Sequence, residues 1–312
     1  MDPAQLRLLR ELGDRGSVAA VAAAMHVSAS AVSQRLTALQ ARVPVPLTVK
    51  DGRRLVLTDA GEALAVAATR VEQALADAQD AVGLFLGHEE RPVRVSAFHS
   101  AGLALFGPLL AELGAGPGAG PKVSLADADV ARGQFTGLTA DYDLVVAHRL
   151  DHDPAWPSRR LVVTPLLVEP LDIALPATHP LAASPAIRPE QLRDERWIST
   201  HEGFPLAGVL AHLGALIGQA PQVDHRINEL FVAAEVVRAG AGIAVMPRTT
   251  AAPLAVDGMV LRPILGVPLV RHVDVLARPD ALALAPVRTV LAALRAVAIV
   301  AAEQTSRSGP QP

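Results

Sequence analysis

The stretch that decides the fold at the N-terminal end of this chain is GSVAAVAAAMHVSASAVSQRLTALQ, residues 16–40. Ser17 and Ser28 each precede a run whose apolar side chains recur at helical spacing, and serine is a favoured residue at a helix N-cap. The dipeptide His26-Val27 leaves room for no more than a tight turn between the two runs. Two short helices joined by such a turn predict a helix-turn-helix unit.

The neighbouring segments extend this unit into a winged helix-turn-helix. Residues 3–13 predict a first, leucine-rich helix that ends at Gly13. Downstream, Asp51-Gly52 stands between two runs of strand-forming residues, and an Asp-Gly pair in that position is a strong signal for a β-hairpin. This hairpin is the predicted wing, and the whole N-terminal domain is predicted to cover residues 1–58.

The predicted third helix has one apolar and one polar side. Val32, Leu36 and Leu39 form the apolar side, which we expect to pack against the rest of the domain. The polar side carries hydroxyl groups and an amide that match the size and chemistry of base edges in the major groove. The N–H groups at the helix N-terminus and Lys50 on the wing suit DNA phosphates, and the arginines of the wing suit the minor groove. The predicted DNA contacts are Ser28, Ser30, Ser33, Gln34, Arg35 and Thr37 on the helix, with Lys50, Arg53 and Arg54 on the wing.

The distribution of charge agrees with a nucleic-acid-binding N-terminal domain. Residues 1–60 carry eight basic and five acidic side chains, although the whole chain has a formal charge of −3. A basic N-terminal domain on an acidic body is typical of a DNA-binding protein with a separate sensing domain. Chance variation of a few charges is the alternative explanation for this feature taken alone.

A long helix is predicted over residues 59–88, beginning after a cap at Thr58. Its apolar positions are spaced alternately by four and three residues, which is the pattern of a coiled-coil seam. We therefore predict that the helix pairs with a second copy of the chain, the alternative being that it packs onto its own C-terminal domain. The seam consists of Leu64, Ala68, Val71, Leu75, Ala78 and Val82.

Residues 91–303 predict an α/β domain, because strand-like and helix-like runs alternate along them. Two lobes are expected, lobe I from residues 91–163 and 268–303 and lobe II from residues 164–267, followed by a disordered tail at 304–312. The apolar segment 281–302 is interrupted by Pro286, Arg288 and Arg295, so it predicts an amphipathic helix and not a membrane span. With no secretory signal in sight, we expect a cytoplasmic protein without a membrane partner.

Residues 6–64 resemble the N-terminal domain of LysR-type transcriptional regulators. The likeness continues through EPLDIALPATHPLA (169–182) and VVRAGAGIAVMPR (236–248), and so extends over nearly the whole chain. The N-terminal positions that carry it are Gly16-Ser17, Val27-Ser28, Val32-Ser33, Leu36, Val45-Pro46-Leu47, Arg53-Arg54 and Leu57-Thr58-Asp59-Ala60-Gly61.

The resemblance implies a fold of two parts. An α+β winged helix-turn-helix with a long dimerisation helix is followed by an α/β effector domain of two periplasmic-binding-protein-like lobes. It also implies a regulator that binds double-stranded promoter or operator DNA as a homodimer, typically paired into a homotetramer, and that responds to a small-molecule effector. A regulator without a ligand, whose lobes serve only oligomerisation, is the alternative.

The effector is expected in the cleft between the lobes, where α/β sheets bind ligands at the ends of their strands. Two of the loops facing the cleft precede helices, and helix N-termini favour an anion such as a carboxylate or an amino acid. Serine and threonine before a helix are also ordinary caps, so a purely structural role stays open for both. The predicted effector contacts are His99, Ser100, Ala101, His148, Thr200, His201 and Asn228.

Other function classes lack their motifs. The chain has no cysteine, and its ten histidines show no spacing typical of a metal site, so neither a metal nor another cofactor is expected. No nucleophile elbow or phosphate loop is present, and GAGPGAG (114–120) precedes a strand where a dinucleotide fingerprint would follow one, so we predict no enzyme. A transport-type binding protein is disfavoured by the winged N-terminus and the missing signal peptide.

Overall fold

The computed structural model describes residues 1–52, 54–86, 91–114, 120–157, 159–204, 206–254 and 257–308. Its first domain is the predicted winged helix-turn-helix. The elements are α1 (Pro3–Arg15), α2 (Val18–Ala24), α3 (Ala29–Gln40), β1 (Thr48–Asp51) and β2 (Arg54–Leu57), and the two strands pair in an antiparallel hairpin.

The helix starts lie where the serines predict them. Ser17 Oγ accepts a hydrogen bond from the Ala20 N–H, and Ser28 Oγ accepts one from the Ala31 N–H, both at 3.1 Å. The predicted end of α1 at Gly13 is wrong, because the helix continues to Arg15 and closes at Gly16 with a left-handed φ of 69°. Gly13 lies inside the helix, where a Cβ would lie 2.7 Å from a methyl carbon of Leu57 on the wing, so a larger residue there would have to displace that side chain.

A single long helix, α4 (Asp59–Leu86), leaves the winged domain. Thr58 caps it: the Thr58 hydroxyl accepts from the Gly61 N–H at 3.1 Å and donates to the Pro46 carbonyl at 2.6 Å. The first half of α4 packs against α1, and further along the helix approaches the C-terminal domain, where Asp80 accepts from the Ala285 N–H at 3.0 Å.

The C-terminal domain is built on one nine-stranded mixed sheet. Among the described residues its strands are β3 (Val93–Ala97), β4 (Val123–Asp127), β5 (Leu144–Leu150), β6 (Val162–Pro176), β7 (Arg196–Ser199), β8 (Gln222–Arg226), β9 (Ile243–Pro247), β10 (Met259–Arg262) and β11 (Val270–Ala277). They follow the order β4-β3-β5-β11-β6-β9-β7-β8, with β10 also paired to β6.

Strand β6 joins the two predicted lobes. Its first half pairs with β11 in lobe I, and its second half pairs with β9 and β10 in lobe II. The first lobe boundary therefore lies near residue 170 and not at 163, because residues 163–167 contribute to the core of lobe I. The helices are α5 (His99–Gly114), α6 (Phe135–Leu138), α7 (Ala207–Ile217), α8 (Leu230–Arg238), α9 (Pro279–Ala283) and α10 (Ala285–Ser308).

The last helix, α10, is longer than the sequence suggested. It continues through Ser308, so residues 304–308, which we expected in a disordered tail, are helical, and residues 309–312 lie outside the described part. By length and composition its segment Ala285–Thr305 could cross a membrane. One side of it, however, buries Val287, Val290 and Leu294 in the core of lobe I, as an amphipathic surface helix does.

Candidate functional site

The polar face of α3 lies on the protein surface as predicted. Val32 and Leu39 are buried, Leu36 is half-buried, and the six predicted contact residues of the helix are all exposed. These six residues differ in the intramolecular hydrogen bonds that their side chains form. The hydroxyls of Ser28 and Ser30 lie 2.9 Å apart, and the Thr37 hydroxyl donates to the Ser33 carbonyl at 3.0 Å.

Ser33, Gln34 and Arg35 are the members of this face whose exposed side chains have no partner within the described residues. Within the described residues, neither the Ser33 hydroxyl nor the Gln34 amide forms an intramolecular hydrogen bond. On the wing, Lys50 and Arg54 are exposed, whereas Arg53 lies outside the described residues. The face therefore offers donors and acceptors that a partner can use without breaking bonds in the protein.

The predicted coiled-coil seam is divided by the structure. Ala68 is fully buried within its own chain, and Leu64 is half-buried because it packs against the core of the winged domain. Val71 is half-buried, and Leu75 and Val82 are 47% and 54% exposed, with Ala78 exposed between them. Leu64 and Ala68 are thus packed against other residues of the same chain, while the second half of the seam remains accessible to a partner helix.

A network of ion pairs, which the sequence did not reveal, joins the winged domain to lobe I. The Arg278 guanidinium binds Glu11 at 3.0 Å and Asp14 at 2.6 Å, and Arg15 binds Asp141 at 2.9 Å. Burial raises the pKa of the Glu11 carboxyl, but Arg278, Arg10 and Arg15 outweigh this effect and hold that pKa below its usual value. Glu11 is therefore ionised in a nearly buried position.

A small cavity of about 30 Å³ lies between the lobes at the predicted cleft. At roughly 30 Å³ per molecule in the liquid, that is about the volume of one water. Of the predicted effector contacts, five line it: His99, Ser100, His148, Thr200 and Asn228. The other lining residues, which were not predicted, are Phe98, Asp129, Phe204, Leu206, Leu230 and Arg271.

Two predicted contacts do not line the cavity. Ala101 is fully buried within α5, because it faces the core of lobe I. His201 is exposed, and it is its backbone N–H that takes part in the site, by donating to the Asn228 side-chain oxygen at 2.9 Å. Asn228 thus ties two loops of lobe II together.

The centre of the cleft is a buried ion pair. Arg271 on β11 and Glu169 on β6 are cross-strand neighbours, both essentially inaccessible, and the Arg271 Nε donates to the Glu169 carboxylate. Arg271 also donates to Ser100 Oγ at 2.9 Å and to the Thr250 hydroxyl. Burying such a pair is tolerated only when further hydrogen bonds satisfy both ions.

The rest of the network supplies those bonds. The Thr250 and Thr249 backbone N–H groups donate to Glu169 at 2.8 Å and 3.1 Å, and the Thr250 hydroxyl contacts Ser100 at 3.2 Å. The Arg271 guanidinium also lies over the Phe98 ring, 4.8 Å from its centroid. The charge that could attract an anion is therefore already compensated by a carboxylate.

His148 forms one wall of the cleft as a neutral, buried ring. Burial and the positive charge of Arg271 hold the pKa of His148 well below its usual value. Its ring packs 4.3 Å from the Phe98 ring and 5.7 Å from the Phe135 ring, measured between centroids. Its Nδ1 and the nearby Thr200 Oγ1 are both buried without a hydrogen-bond partner, which leaves two polar atoms of the cleft unsatisfied.

The mouth of the cleft is acidic around His99. This imidazole contacts Asp127 at 2.8 Å through Nε2 and Glu229 through Nδ1. Burial raises the pKa of the Asp129 carboxyl above its usual value; His99 and Arg271 act against this rise and the Glu229 carboxylate adds to it. The local sequence did not predict that these acidic residues belong to the site; its only indication was their position at the ends of strands and helices.

The comparisons with known proteins agree with both halves of this architecture. Residues 3–62 match the family described as bacterial regulatory helix-turn-helix protein, lysR family, and residues 86–299 match the LysR substrate binding domain. The chain is 24% identical over 280 residues to the "Probable RuBisCO transcriptional regulator" of Synechocystis sp., covering 88% of this chain and 80% of the relative. It is 23% identical to the malonate utilization transcriptional regulator of Klebsiella pneumoniae, with 75% of each chain covered.

Solved structures share the fold over the full length. A full-length OxyR variant from Pseudomonas aeruginosa has a TM-score of 0.62 at 22% identity, covering 96% of this chain and 94% of that one. CbnR in complex with its target DNA has a TM-score of 0.52 at 21% identity, covering 96% and 100%. With two family domains in the family's order, this chain is a LysR-type DNA-binding transcriptional regulator with an effector-binding domain.

Proposed function

We propose that this regulator binds promoter DNA through the exposed face of α3 and the wing, and that a small polar effector in the interlobe cleft controls this binding. The observation that carries the first half is the pair Ser33 and Gln34, whose exposed side chains have no hydrogen-bond partner within the described residues. Gln34 can make bidentate contact with adenine, and Ser33 can bond either kind of base edge.

The second half rests on the polar atoms of the cleft. The buried, unpartnered atoms of His148 and Thr200 can be satisfied by a ligand with hydrogen-bond donors and acceptors. A carboxylate or amino acid, the expected effector, can be bound by Ser100 and the N-terminus of α5, but Arg271 contributes little net charge because Glu169 neutralises it. A cavity of about 30 Å³ does not accommodate such a ligand as it stands, so we propose that the lobes separate before the ligand enters.

We further propose that the accessible half of the α4 seam forms the homodimer contact. Leu75, Ala78 and Val82 present exposed apolar groups at coiled-coil spacing, and a second copy of α4 can cover them. LysR regulators form oligomers, and tetramers built from two such dimers are the assembly we propose here. We also propose that the protein acts in the cytoplasm, where it reaches the DNA, and that it is not an enzyme; relatives that are named as regulators support both proposals.

A ligand-independent regulator is the second candidate. It is favoured by one observation, the self-contained network of Arg271, Glu169, Ser100 and Thr250, which satisfies most polar groups of the cleft without a ligand. In that case the two lobes serve only as an oligomerisation scaffold, and no metabolite changes DNA binding.

A gel-shift titration tests DNA binding. The intergenic DNA upstream of the chain's own gene is titrated with full-length protein at several salt concentrations, with a scrambled fragment of equal length as control. A specific, salt-sensitive shift that is lost in Ser33→Ala supports the proposal. Absence of any specific shift, or a shift that Ser33→Ala leaves unchanged, refutes the assignment of the α3 face.

The effector half is tested on the same fragment with pooled amino acids and carboxylic acids. A pool that changes the shift, and that loses its effect in Thr200→Val while DNA affinity stays near wild type, supports the cleft as the effector site. Melting temperatures of both proteins without ligand control for folding. If no pool changes either DNA binding or the melting temperature, the ligand-independent alternative is supported instead.

A further inference from the structure

Three potential metal ligands from both lobes meet at the mouth of the cleft. His99 is the first residue of α5 and Asp129 follows β4 in lobe I, whereas Glu229 immediately precedes α8 in lobe II. One ligand atom from each of these residues lies within 4.8 Å of the others. They are far apart in the sequence, so no local spacing could have predicted the cluster.

The orientation of His99 is the one that a metal-binding imidazole adopts. Its Nε2 lies 2.8 Å from an Asp127 carboxylate oxygen, and a metal-ligating histidine commonly donates its second ring N–H to a carboxylate in this way. That bond fixes the tautomer with the lone pair on Nδ1. The lone pair then faces the Glu229 carboxylate, which is in contact with Nδ1.

Two acceptor atoms in such contact repel each other, and the contact is too short for a metal ion to lie between them. Nδ1 of His99 and Oε2 of Glu229 are both buried and have no hydrogen-bond partner. Glu229 occupies the N-cap position of α8 but accepts no hydrogen bond from that helix, so its carboxylate is directed to His99 and not to its own backbone. A proton between the two atoms resolves the contact as it stands, whereas a metal cation bound to both side chains requires them to move apart to roughly 3 Å or more.

The negative charge around His99 favours a divalent metal cation over a single proton. Within the described residues, the carboxylates of Asp127 and Glu229 form ion pairs with His99 alone, and Asp129 forms no ion pair within 4.0 Å. The nearest strong cation, Arg271, is held by Glu169. Three carboxylates around one imidazole leave a net negative charge that a single additional proton does not balance.

We propose that His99, Asp129 and Glu229 bind a divalent transition-metal cation of the zinc type, with Asp127 orienting the imidazole and water completing the coordination. One imidazole and two carboxylates are a donor set that Zn²⁺ accepts, and the imidazole disfavours Mg²⁺ and Ca²⁺, which prefer oxygen ligands. Because the ligands come from both lobes, the bound cation holds the cleft closed. Metal binding does not depend on the proposed effector function; only its consequence for DNA binding rests on that function.

The proposal is tested by titrating chelator-treated full-length protein with ZnCl₂ in a calorimeter. We expect one Zn²⁺ per chain, and loss of that site in His99→Gln and in Glu229→Gln. Asp127→Asn should weaken the affinity by about 10–100-fold, as loss of a group that orients a ligand does. His201→Gln, an exposed histidine near the same mouth, is the matched control and should bind like wild type.

A second measurement separates this site from binding by surface histidines. Co²⁺ in place of Zn²⁺ should give visible absorption bands that Glu229→Gln alters and His201→Gln does not, and metal-free melting temperatures show whether each variant is folded. The proposal is overturned if Zn²⁺ fails to bind, or if His99→Gln and Glu229→Gln bind it as wild type does. If Zn²⁺ binds as expected but gel shifts with and without it are identical, the site stands and its regulatory consequence is refuted.

Discussion

The exposed polar face of α3 and the interlobe cleft use the same kinds of side chain in opposite ways. On α3, Ser33 and Gln34 are exposed and form no side-chain hydrogen bond within the described part of the chain. In the cleft, Ser100 is buried and accepts from Arg271. The first surface can bind a partner at once, whereas the second must exchange bonds it already has. Polar groups at the cleft are therefore expected to contribute to stability, whereas those on α3 are free for the DNA recognition that we propose.

Glu169→Leu is the substitution that we expect to have the largest effect on stability. The substitution leaves the Arg271 guanidinium buried without its carboxylate, and breaking a buried pair in this way costs about 3–5 kcal/mol in the free energy of unfolding. Urea denaturation of the single variant measures the loss. The double variant Glu169→Leu with Arg271→Met should recover part of it, because no uncompensated charge remains although the Thr249 and Thr250 N–H groups still lack their acceptor.

An exposed ion pair supplies the control for that experiment. Glu235 contacts Arg238 at 3.0 Å one helical turn away, with a carboxylate that is 70% exposed. Glu235→Gln should change the free energy of unfolding by less than about 1 kcal/mol. If Glu169→Leu costs no more than this variant, or if the double variant is as unstable as the single one, the cleft is not held by its ion pair.

The two regions also differ in how much of them the sequence predicts. The winged domain depends on local signals, such as Ser17 and Ser28 at helix starts and Asp51-Gly52 in the turn, and these predict its elements correctly. The predicted end of α1 was wrong because Gly13 lies inside the helix, close to Leu57 of the wing, and the glycine that ends the helix in the left-handed conformation is Gly16.

The cleft depends on residues that the fold brings together from distant strands. Glu169 and Arg271 were missed although each is a charged residue in a largely apolar strand. Because Asp172 and Asp274 stand in the same two strands, that signal alone does not tell which of the charged side chains pair. Heptad spacing likewise predicts the α4 seam without saying whether its partner is the same chain or another. That is why Leu64 and Ala68 turned out to pack within their own chain.

The next largest effect is expected on DNA recognition. Gln34→Ala should lose about 1–3 kcal/mol of discrimination between specific and scrambled DNA, because its amide is the group suited to bidentate contact with a base. The free energy of unfolding should stay within about 0.5 kcal/mol of wild type, since the side chain is exposed. Competition gel shifts and urea denaturation measure the two quantities.

Arg54→Ala is the comparison variant for Gln34→Ala. Loss of a wing arginine that contacts a phosphate should weaken the binding of specific and scrambled DNA alike. It should also reduce the slope of log K against log salt concentration by about one. Loss of discrimination in Arg54→Ala, with none in Gln34→Ala, would reverse the roles proposed for helix and wing.

The free energy of unfolding should depend on pH through a histidine of the cleft and not through the polar face of α3. The pKa of His148 in the folded protein lies well below the usual value near 6.5, because the ring is buried and faces Arg271. Below about pH 6.5 the unfolded chain therefore binds a proton that the folded chain excludes, and this group's contribution to stability falls as pH falls, by at most about 1.4 kcal/mol per pH unit.

His148→Leu isolates that contribution. Between pH 6.5 and 5, the free energy of unfolding of the wild type should fall more steeply than that of the variant, whatever the offset between the two curves. Glu11 acts in a different range: its lowered pKa gives stability that is present above about pH 4.5 and lost only as pH falls further. Parallel curves between pH 6.5 and 5 would show that His148 accepts a proton in the folded state.

The smallest effect concerns Ser28, which combines the two kinds of role. Its hydroxyl caps α3 by accepting from the Ala31 N–H, and it is also a predicted DNA contact. Ser28→Ala should cost about 1 kcal/mol of stability through loss of the cap, whereas Ser28→Asp keeps a good cap and adds a negative charge where phosphate is expected. Ser28→Asp should therefore be as stable as wild type but should bind DNA more weakly.

Ser17→Asp provides the matched control, because Ser17 caps α2 in the same way and is not a predicted DNA contact. Denaturation should find both aspartate variants close to wild type in stability, and gel shifts should find a substantially greater loss of affinity in Ser28→Asp. Equal losses in the two variants would mean that added charge acts on the whole domain and not at the start of α3. A difference between them would place the DNA phosphate at Ser28, because one serine would then serve the fold alone while the other serves both the fold and recognition.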